Sequence, residues 1–195
     1  MRLLELFSGT GSVQKAVGHM YIEVVSIDII KKFNPTISID ILTWDYTVYP
    51  KDYFDTVWAS PPCTEYSICK TTQPRNLPLA DSIVKKTLEI INYFQPRLWF
   101  IENPQTGLLK TREFMNGLPF YDVDYCQYGM PYRKRTRIWT NQIGFIPKLH
   151  NAKTCTQMKE SRKEHLLSFG NKRRNDVSPI QRSVIPELLI VELFN

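Results

Sequence analysis

The stretch Leu3-Leu4-Glu5-Leu6-Phe7-Ser8-Gly9-Thr10-Gly11-Ser12 runs from a short apolar segment into two closely spaced glycines. Beyond it, Val13, Ala16, Val17 and Met20 recur at helical spacing. The pattern is strand, glycine turn, helix. Glycines let the backbone approach a ligand closely, and free amides at a helix start can hold a carboxylate or phosphate. The turn lacks the Gly-Lys-Ser/Thr ending of a phosphate-binding loop, so it is either a structural junction or one wall of a ligand crevice.

Working outward, Tyr21 to Ile27 is a second buried-strand pattern ending on Asp28, and Ile37-Ser38-Ile39-Asp40-Ile41 is a third. Phe54 to Ala59 makes a fourth, stopped by Ser60-Pro61-Pro62 because proline cannot donate to a central ladder. Residues 64–78 read as a loop. Ala80 to Phe94, with Ile83, Val84, Leu88, Ile91 and Phe94, predicts an amphipathic helix. A fifth strand, Leu98 to Ile101, is closed by Glu102-Asn103-Pro104. Tyr121 to Cys126 and Thr136 to Thr140 predict a hairpin at one sheet edge, and Ile180 to Phe194 a final helix. Alternating strands and helices imply an α/β fold with a doubly wound, mostly parallel sheet, whose ligands sit beyond the carboxyl ends of the strands.

The chain has 195 residues, 43% of them hydrophobic, so residues 1–195 are expected to form a single domain. Lys and Arg outnumber Asp and Glu by 25 to 19, and the surplus gathers late, in Tyr132-Arg133-Lys134-Arg135-Thr136-Arg137 and Asn171-Lys172-Arg173-Arg174. Such clusters suit a polyanionic partner, or form a solvated basic face. Cys126, His150, Cys155 and His165 match no common zinc-ligand spacing, so no metal is expected. Met1 leads directly into a strand-like pattern, with no secretory or membrane-spanning run. The expectation is a soluble, cytoplasmic protein of a reducing compartment that contacts no membrane.

Asp28 ends the second strand roughly 20 residues after the glycine turn, where an acid is placed to accept hydrogen bonds from a ribose. Turn and acid together point to a nucleoside cofactor and leave a nicotinamide cofactor and S-adenosylmethionine both open. Ser60-Pro61-Pro62-Cys63 follows the fourth strand, and its prolines fix a rigid loop. Cys63 is then either a structural thiol or a nucleophile aimed into the crevice. Enzymes that methylate exocyclic amines carry a similar proline turn followed by an aromatic residue, whereas here a thiol stands in that place. Carbon 5 of cytosine is a poor nucleophile. A thiolate adding at carbon 6 would make it enamine-like and able to take an electrophilic methyl group. Glu102, ending another apolar strand, can hydrogen-bond or protonate ring nitrogen 3, or can cap a turn. Arg135 and Arg137 share one strand face and suit a base carbonyl, the cysteine loop or a phosphate, or else form a solvated edge. Thr64, Glu65 and Ser67 follow the thiol and either position a nucleotide's phosphate or belong to an ordinary loop.

Taken in order, Leu4 to Ser12, Asp28, Ser60 to Cys63, Glu102-Asn103 and Arg135-x-Arg137 resemble the ordered motifs of the C5-cytosine DNA methyltransferase family, over about the first 140 residues. The resemblance implies the class I S-adenosylmethionine-dependent methyltransferase fold, S-adenosyl-L-methionine as cofactor, S-adenosyl-L-homocysteine as product and DNA as partner. It implies that Phe7, Ser8, Gly9, Thr10, Gly11 and Pro61 line the cofactor pocket. Asp28 and Ile29 would hold the ribose and flank the adenine, with Asp40 and Ile41 contacting the adenine. Cys63 would be the nucleophile, Glu102 the ring-nitrogen acid and Arg137 the contact to the cytosine carbonyl, beside Arg135. The target base would be flipped out of the duplex. Thr64, Ser67, Arg133, Lys134, Lys172, Arg173 and Arg174 are the expected nucleic-acid contacts.

The chain departs from that pattern at three places. Pro104 replaces the branched apolar residue that usually follows the Glu-Asn pair. Residues 141–177 form a reduced recognition segment or loop, far shorter than the usual target-recognition domain. The motif that normally braces that domain is missing, although Gln181 to Leu188 resembles the family's closing helix, with Ser183 near the cofactor. This compact build resembles enzymes of phages and large DNA viruses, and a viral origin is expected. Three alternatives stand beside it. An RNA partner, as in the branch that methylates tRNA, is one, although that branch's Cys-Phe-Thr element is missing here. A catalytically silent nucleic-acid-binding module is the second. An amine methyltransferase is the third, and the thiol at position 63 speaks against it.

Overall fold

The computed structural model of the chain describes residues 1–159, 164–167 and 177–195. Lys172, Arg173 and Arg174 lie outside the described residues. The strands are β1 (Arg2–Leu6), β2 (Glu23–Asp28), β3 (Ile37–Ser38), β4 (Thr56–Ala59), β5 (Leu98–Pro104), β6 (Phe120–Asp124) and β7 (Arg135–Thr140). The α-helices are α1 (Ser12–Val17), α2 (Leu77–Phe94), α3 (Pro179–Ser183) and α4 (Glu187–Phe194). They build a seven-stranded sheet in the order β3-β2-β1-β4-β5-β7-β6. The first five are mutually parallel, and β7 runs antiparallel between β5 and β6.

Period-two alternation divides the apolar side chains between two layers. Leu4, Leu6, Val57, Ala59, Ile101 and Trp139 face Val84, Ile90, Ile91 and Phe94 of α2. Leu3, Trp58, Phe100 and Ile138 face the opposite way, onto Val13, Ala16 and Val17 of α1 and Leu189, Ile190 and Leu193 of α4. Because β1, β4 and β5 are covered on both faces, they are mostly apolar, as a doubly wound sheet requires, with Glu5 in β1 and Glu102-Asn103 in β5 among the buried polar exceptions.

Several boundaries shift from the sequence reading. β5 runs on through Glu102-Asn103-Pro104, which pair with β7, and β2, β4, β6 and β7 move by one or two residues at an end. Three further differences have a clear local cause. β3 stops at Ser38, because the Asp40 carboxylate accepts from the Leu42 amide at 2.9 Å and turns the chain. α2 starts earlier, at Leu77, where the Asn76 side chain accepts from the Leu79 amide at 3.1 Å and a proline occupies the first turn. The expected closing helix is two pieces. α3 is held by a capping box between Ser178 and Gln181. Val184 and Pro186 both have extended ψ, and the proline at 186 disfavours helical backbone at the residue before it, so the chain breaks between α3 and α4.

Candidate active site

The strand order reverses at β1 and β4, so the loops leaving their carboxyl ends flank one crevice. After β1, Phe7, Gly9 and Gly11 all adopt left-handed backbone, with φ of 57°, 48° and 68°. An added Cβ at Gly11 would stand in open space, with no protein atom within 4 Å. Asp28, at the end of β2, accepts from the amides of Gly9 and Ile30, each at 2.8 Å. Each carboxylate oxygen retains a further lone pair, so Asp28 fastens the turn and can still accept from a hydroxyl. Beside it Ile29 is 64% exposed, an apolar side chain with no protein cover. An open turn, a hydroxyl-accepting acid and an apolar rim fit a nucleoside ligand.

The other expected cofactor residues divide. Ser8 is buried and donates its amide to the Ile27 carbonyl at 3.1 Å, while the Thr10 and Ser12 hydroxyls share a hydrogen bond at 3.2 Å. Asp40 is exposed after β3, but Ile41 is buried in the α2-side core. Ser12 Oγ also accepts from the Ile185 amide at 3.2 Å, which brings the segment carrying exposed Ser183 against the glycine turn. Ser183 itself donates to the Ile180 carbonyl at 2.7 Å.

Glu5 was not singled out from sequence. Its oxygens accept from the amides of Val13 (3.2 Å) and Gln14 (3.1 Å) at the start of α1, where Gly11 supplies no capping side chain. Burial pushes its pKa up to about 7, against the lowering effect of those two amides. A lone acid inside an otherwise apolar strand was the available signal.

The second wall of the crevice is the loop after β4. Pro61 is buried, and its carbonyl accepts from Asn103 Nδ2 of β5 at 2.9 Å, so the strand that carries Glu102 also holds the loop that carries Cys63. The Tyr66 amide closes a turn onto the Cys63 carbonyl at 3.1 Å. Residues 64–76 are aperiodic in sequence yet well braced. Arg75 donates to the carbonyls of Glu65 (3.0 Å) and Lys70 (2.9 Å), and buried Tyr66 donates to Asp81 of α2 at 2.9 Å. Thr64 is exposed, and half-buried Ser67 accepts from the Cys69 amide at 3.2 Å.

Cys63 is open to solvent, yet protein crowds it enough that desolvation raises its thiol pKa above the ordinary value. The Glu102 carboxylate adds to that rise, and the Lys134 ammonium opposes it. Glu102 is 6% exposed, and its Oε1 accepts from Tyr125 Oη (3.0 Å) and Lys134 Nζ (3.1 Å). Lys134 Nζ also donates to the Arg182 carbonyl at 3.2 Å and lies 4.7 Å from the Tyr125 ring centre. A thiol, a carboxylate and an ammonium therefore act on one another at the ends of β4, β5 and the turn before β7.

The basic run is not the open cationic patch its composition suggests. Lys134 is turned inward onto Glu102, with a side chain only 11% exposed. Arg133 pairs with Asp124 at 2.8 Å. Arg137 makes a two-pronged pair with Asp122 of β6, at 2.7 and 2.8 Å, and lies over the Phe120 ring. Register explains the last case. Asn103 and Asp122 stand opposite Arg137, whereas Glu102 stands opposite Ile138 and faces the other side of the sheet. Arg137 and Glu102 do not converge, and Lys134 holds the place beside the acid. Arg135 is exposed and forms no ion pair with a described residue.

No protein-family model matches the chain. A protein of Frog virus 3 (isolate Goorha), named "Probable DNA (cytosine-5)-methyltransferase", is 37% identical over 221 residues, covering 100% of this chain and 99% of its own. Among solved structures, a DNA modification methyltransferase encoded within a prophage of E. coli superposes with a TM-score of 0.56 at 15% identity, covering 77% of this chain. The S. pombe Dnmt2 methyltransferase gives 0.53 at 15% identity, covering 84%. The chain spans 52% and 58% of the length of those two structures. At that identity they speak to the fold, a Rossmann-like methyltransferase sheet. The viral relative matches along its whole length, and by that match the chain belongs to the DNA (cytosine-5)-methyltransferase family.

Proposed function

We propose that the chain transfers a methyl group from S-adenosyl-L-methionine to carbon 5 of a flipped cytosine in DNA, through a covalent Cys63 adduct. The observation that carries this reading is the Cys63 loop, tied by Asn103 to the strand of Glu102, with the thiol under the influence of Glu102 and Lys134. Gly9, Gly11, Asp28 and Ile29 would hold the cofactor, which supplies an electrophilic methyl group when bound. Cys63 Sγ, once deprotonated, adds to carbon 6 of the base, and the electron pair of the ring double bond shifts toward carbon 5. Glu102 faces ring nitrogen 3 and the exocyclic amine, where the carboxyl can accept from the amine and share a proton with nitrogen 3, drawing electron density from the ring as the thiolate adds. Lys134 supports both groups: it orients Glu102 and favours the thiolate. Elimination of Cys63 after loss of the proton on carbon 5 restores the free thiol.

DNA is preferred over tRNA because the full-length viral relative is named for DNA. Among the described residues no helix is long and apolar enough to cross a membrane. The test is incubation with duplex DNA containing 5-fluorocytosine and the cofactor. Fluorine at carbon 5 cannot leave as a proton, so the adduct is expected to persist through denaturing electrophoresis and to vanish in Cys63→Ala. Trapping that survives in Cys63→Ala, or labelled methyl recovered on tRNA and not DNA, overturns it.

A further inference from the structure

We propose that Cys126, His150, Cys155 and His165 bind one structural zinc ion through two thiolates and two imidazoles. Their spacing in sequence resembles no common zinc motif, but the fold gathers them. Cys126 lies in the turn after β6, and the other three lie in the segment that follows β7. One donor atom from each, sulfur or ring nitrogen, falls within 4.8 Å of all the others. Cys126 Sγ is 3.5 Å from His150 Nδ1, Cys155 Sγ is 3.9 Å from His165 Nε2, and the two imidazole centres are 4.7 Å apart. Donors around a tetrahedral zinc, with bonds of about 2.3 Å to sulfur and 2.0 Å to nitrogen, stand roughly 3.3–3.8 Å from one another. The observed group needs only small side-chain movements to reach that geometry. Ligand number and type, two sulfurs and two nitrogens, are those of closed structural sites rather than catalytic ones.

Burial says why such an ion belongs here. Among the described residues between 146 and 167, Cys155 is the sole buried one and the regular structure is a single bridge between Met158 and His165. A stretch of that length without an apolar core cannot offset its ordering entropy by burial. Among the described residues its one dry point is the Cys/His cluster, with both thiols nearly inaccessible at 2% and 1%. The local backbone already presents the ligands. The His150 amide donates to Asp124 at 2.9 Å and the Cys155 amide to the Asn151 carbonyl at 2.8 Å. Arg133, fixed by Asp124, supplies positive charge near both sulfurs. A disulfide between Cys126 and Cys155 would account for the thiols but not for two histidines gathered on them. Zinc would displace the two thiol protons to solvent and fasten the segment after β7 to Cys126, the neighbour of Tyr125, which holds Glu102.

The full chain, produced in zinc-supplemented medium and passed into chelator-treated buffer, is expected to carry about one zinc by elemental analysis. Cobalt exchanged for it should give the absorption bands of a tetrahedral thiolate site. Cys155→Ser and His165→Ala should each lower bound metal at least tenfold, while His165→Cys should restore it with stronger thiolate absorption and Cys69→Ser should leave it unchanged. The His165→Cys arm separates ligand loss from misfolding. Full-length protein that takes up neither zinc nor cobalt, metal retained in Cys126→Ser/Cys155→Ser, or a Cys126–Cys155 disulfide in metal-free protein purified under nitrogen would each overturn the assignment.

Discussion

Cys63 sits between opposed charges, and its reactivity reads them out. Glu102 disfavours the thiolate and Lys134 favours it. Below the thiol's pKa, alkylation scales with the thiolate fraction, so each unit of pKa changes the rate about tenfold. Glu102→Gln should therefore speed iodoacetamide labelling of Cys63 at pH 8 several-fold, and Lys134→Gln should slow it by a similar factor. Both should depress methyl transfer, Glu102→Gln by about a hundredfold or more. Equal labelling rates in wild type and both variants would show that the three groups do not communicate. The opposite directions separate electrostatics from damage, because a misfolded variant would expose Cys63 in either case. Residue types around the thiol were legible in the sequence, and partners were not. The run from Arg133 to Arg137 reads as four equivalent cations, yet Asp122, Asp124 and Glu102 claim three of them from other strands. Such pairing is set by register across β5, β7 and β6, which a local pattern does not contain.

At the scale of elements, the strand-turn-helix at the amino end depends on Glu5. Its pKa rises from 4.5 to about 7 on folding, chiefly through burial. Between those values the folded chain keeps a proton that the unfolded chain has released, so stability falls as pH rises through that window. For a residue 2% exposed, the change amounts to about 3 kcal/mol from pH 4.5 to 7.5. Glu5→Gln should remove this dependence. Its urea midpoint relative to wild type should be higher at pH 8 than at pH 5, and a difference constant with pH would refute the role. The fold itself was legible because each covered strand is an apolar run between turn residues, and each turn lies at a strand end. What escaped was set by single side chains. Asp40 ends β3, Asn76 starts α2 and Pro186 divides the closing helix, each through one local hydrogen bond or clash that outweighs apolar periodicity. Asn103 was legible as part of a motif, but its bond to the Pro61 carbonyl appears only once β4 and β5 lie side by side.

For the whole molecule, a net charge of +6 is the property that would bring it to DNA, but the count overstates what is free to bind. Cations already paired with internal carboxylates release no counterions when they meet a phosphate, so they add little to the salt dependence of binding. Arg133, Lys134 and Arg137 belong to that class, and exposed Arg135 does not. Lys172, Arg173 and Arg174 have no acidic neighbour within three residues in sequence except Asp176, so among the expected nucleic-acid contacts they are further candidates. The logarithm of affinity against the logarithm of salt should then flatten by about 0.9 in Arg135→Gln, and by up to roughly three times that in the triple glutamine variant at 172–174. Arg133→Gln should leave the slope unchanged while destabilising the fold, because it strips Asp124, whose side chain is 1% exposed, of its cationic partner. Binding titrations of one duplex across a salt series decide between these outcomes. If Arg133→Gln flattens the slope as much as Arg135→Gln, the Asp124 pair opens on DNA and the paired cations of the run serve as the phosphate contacts its composition suggests.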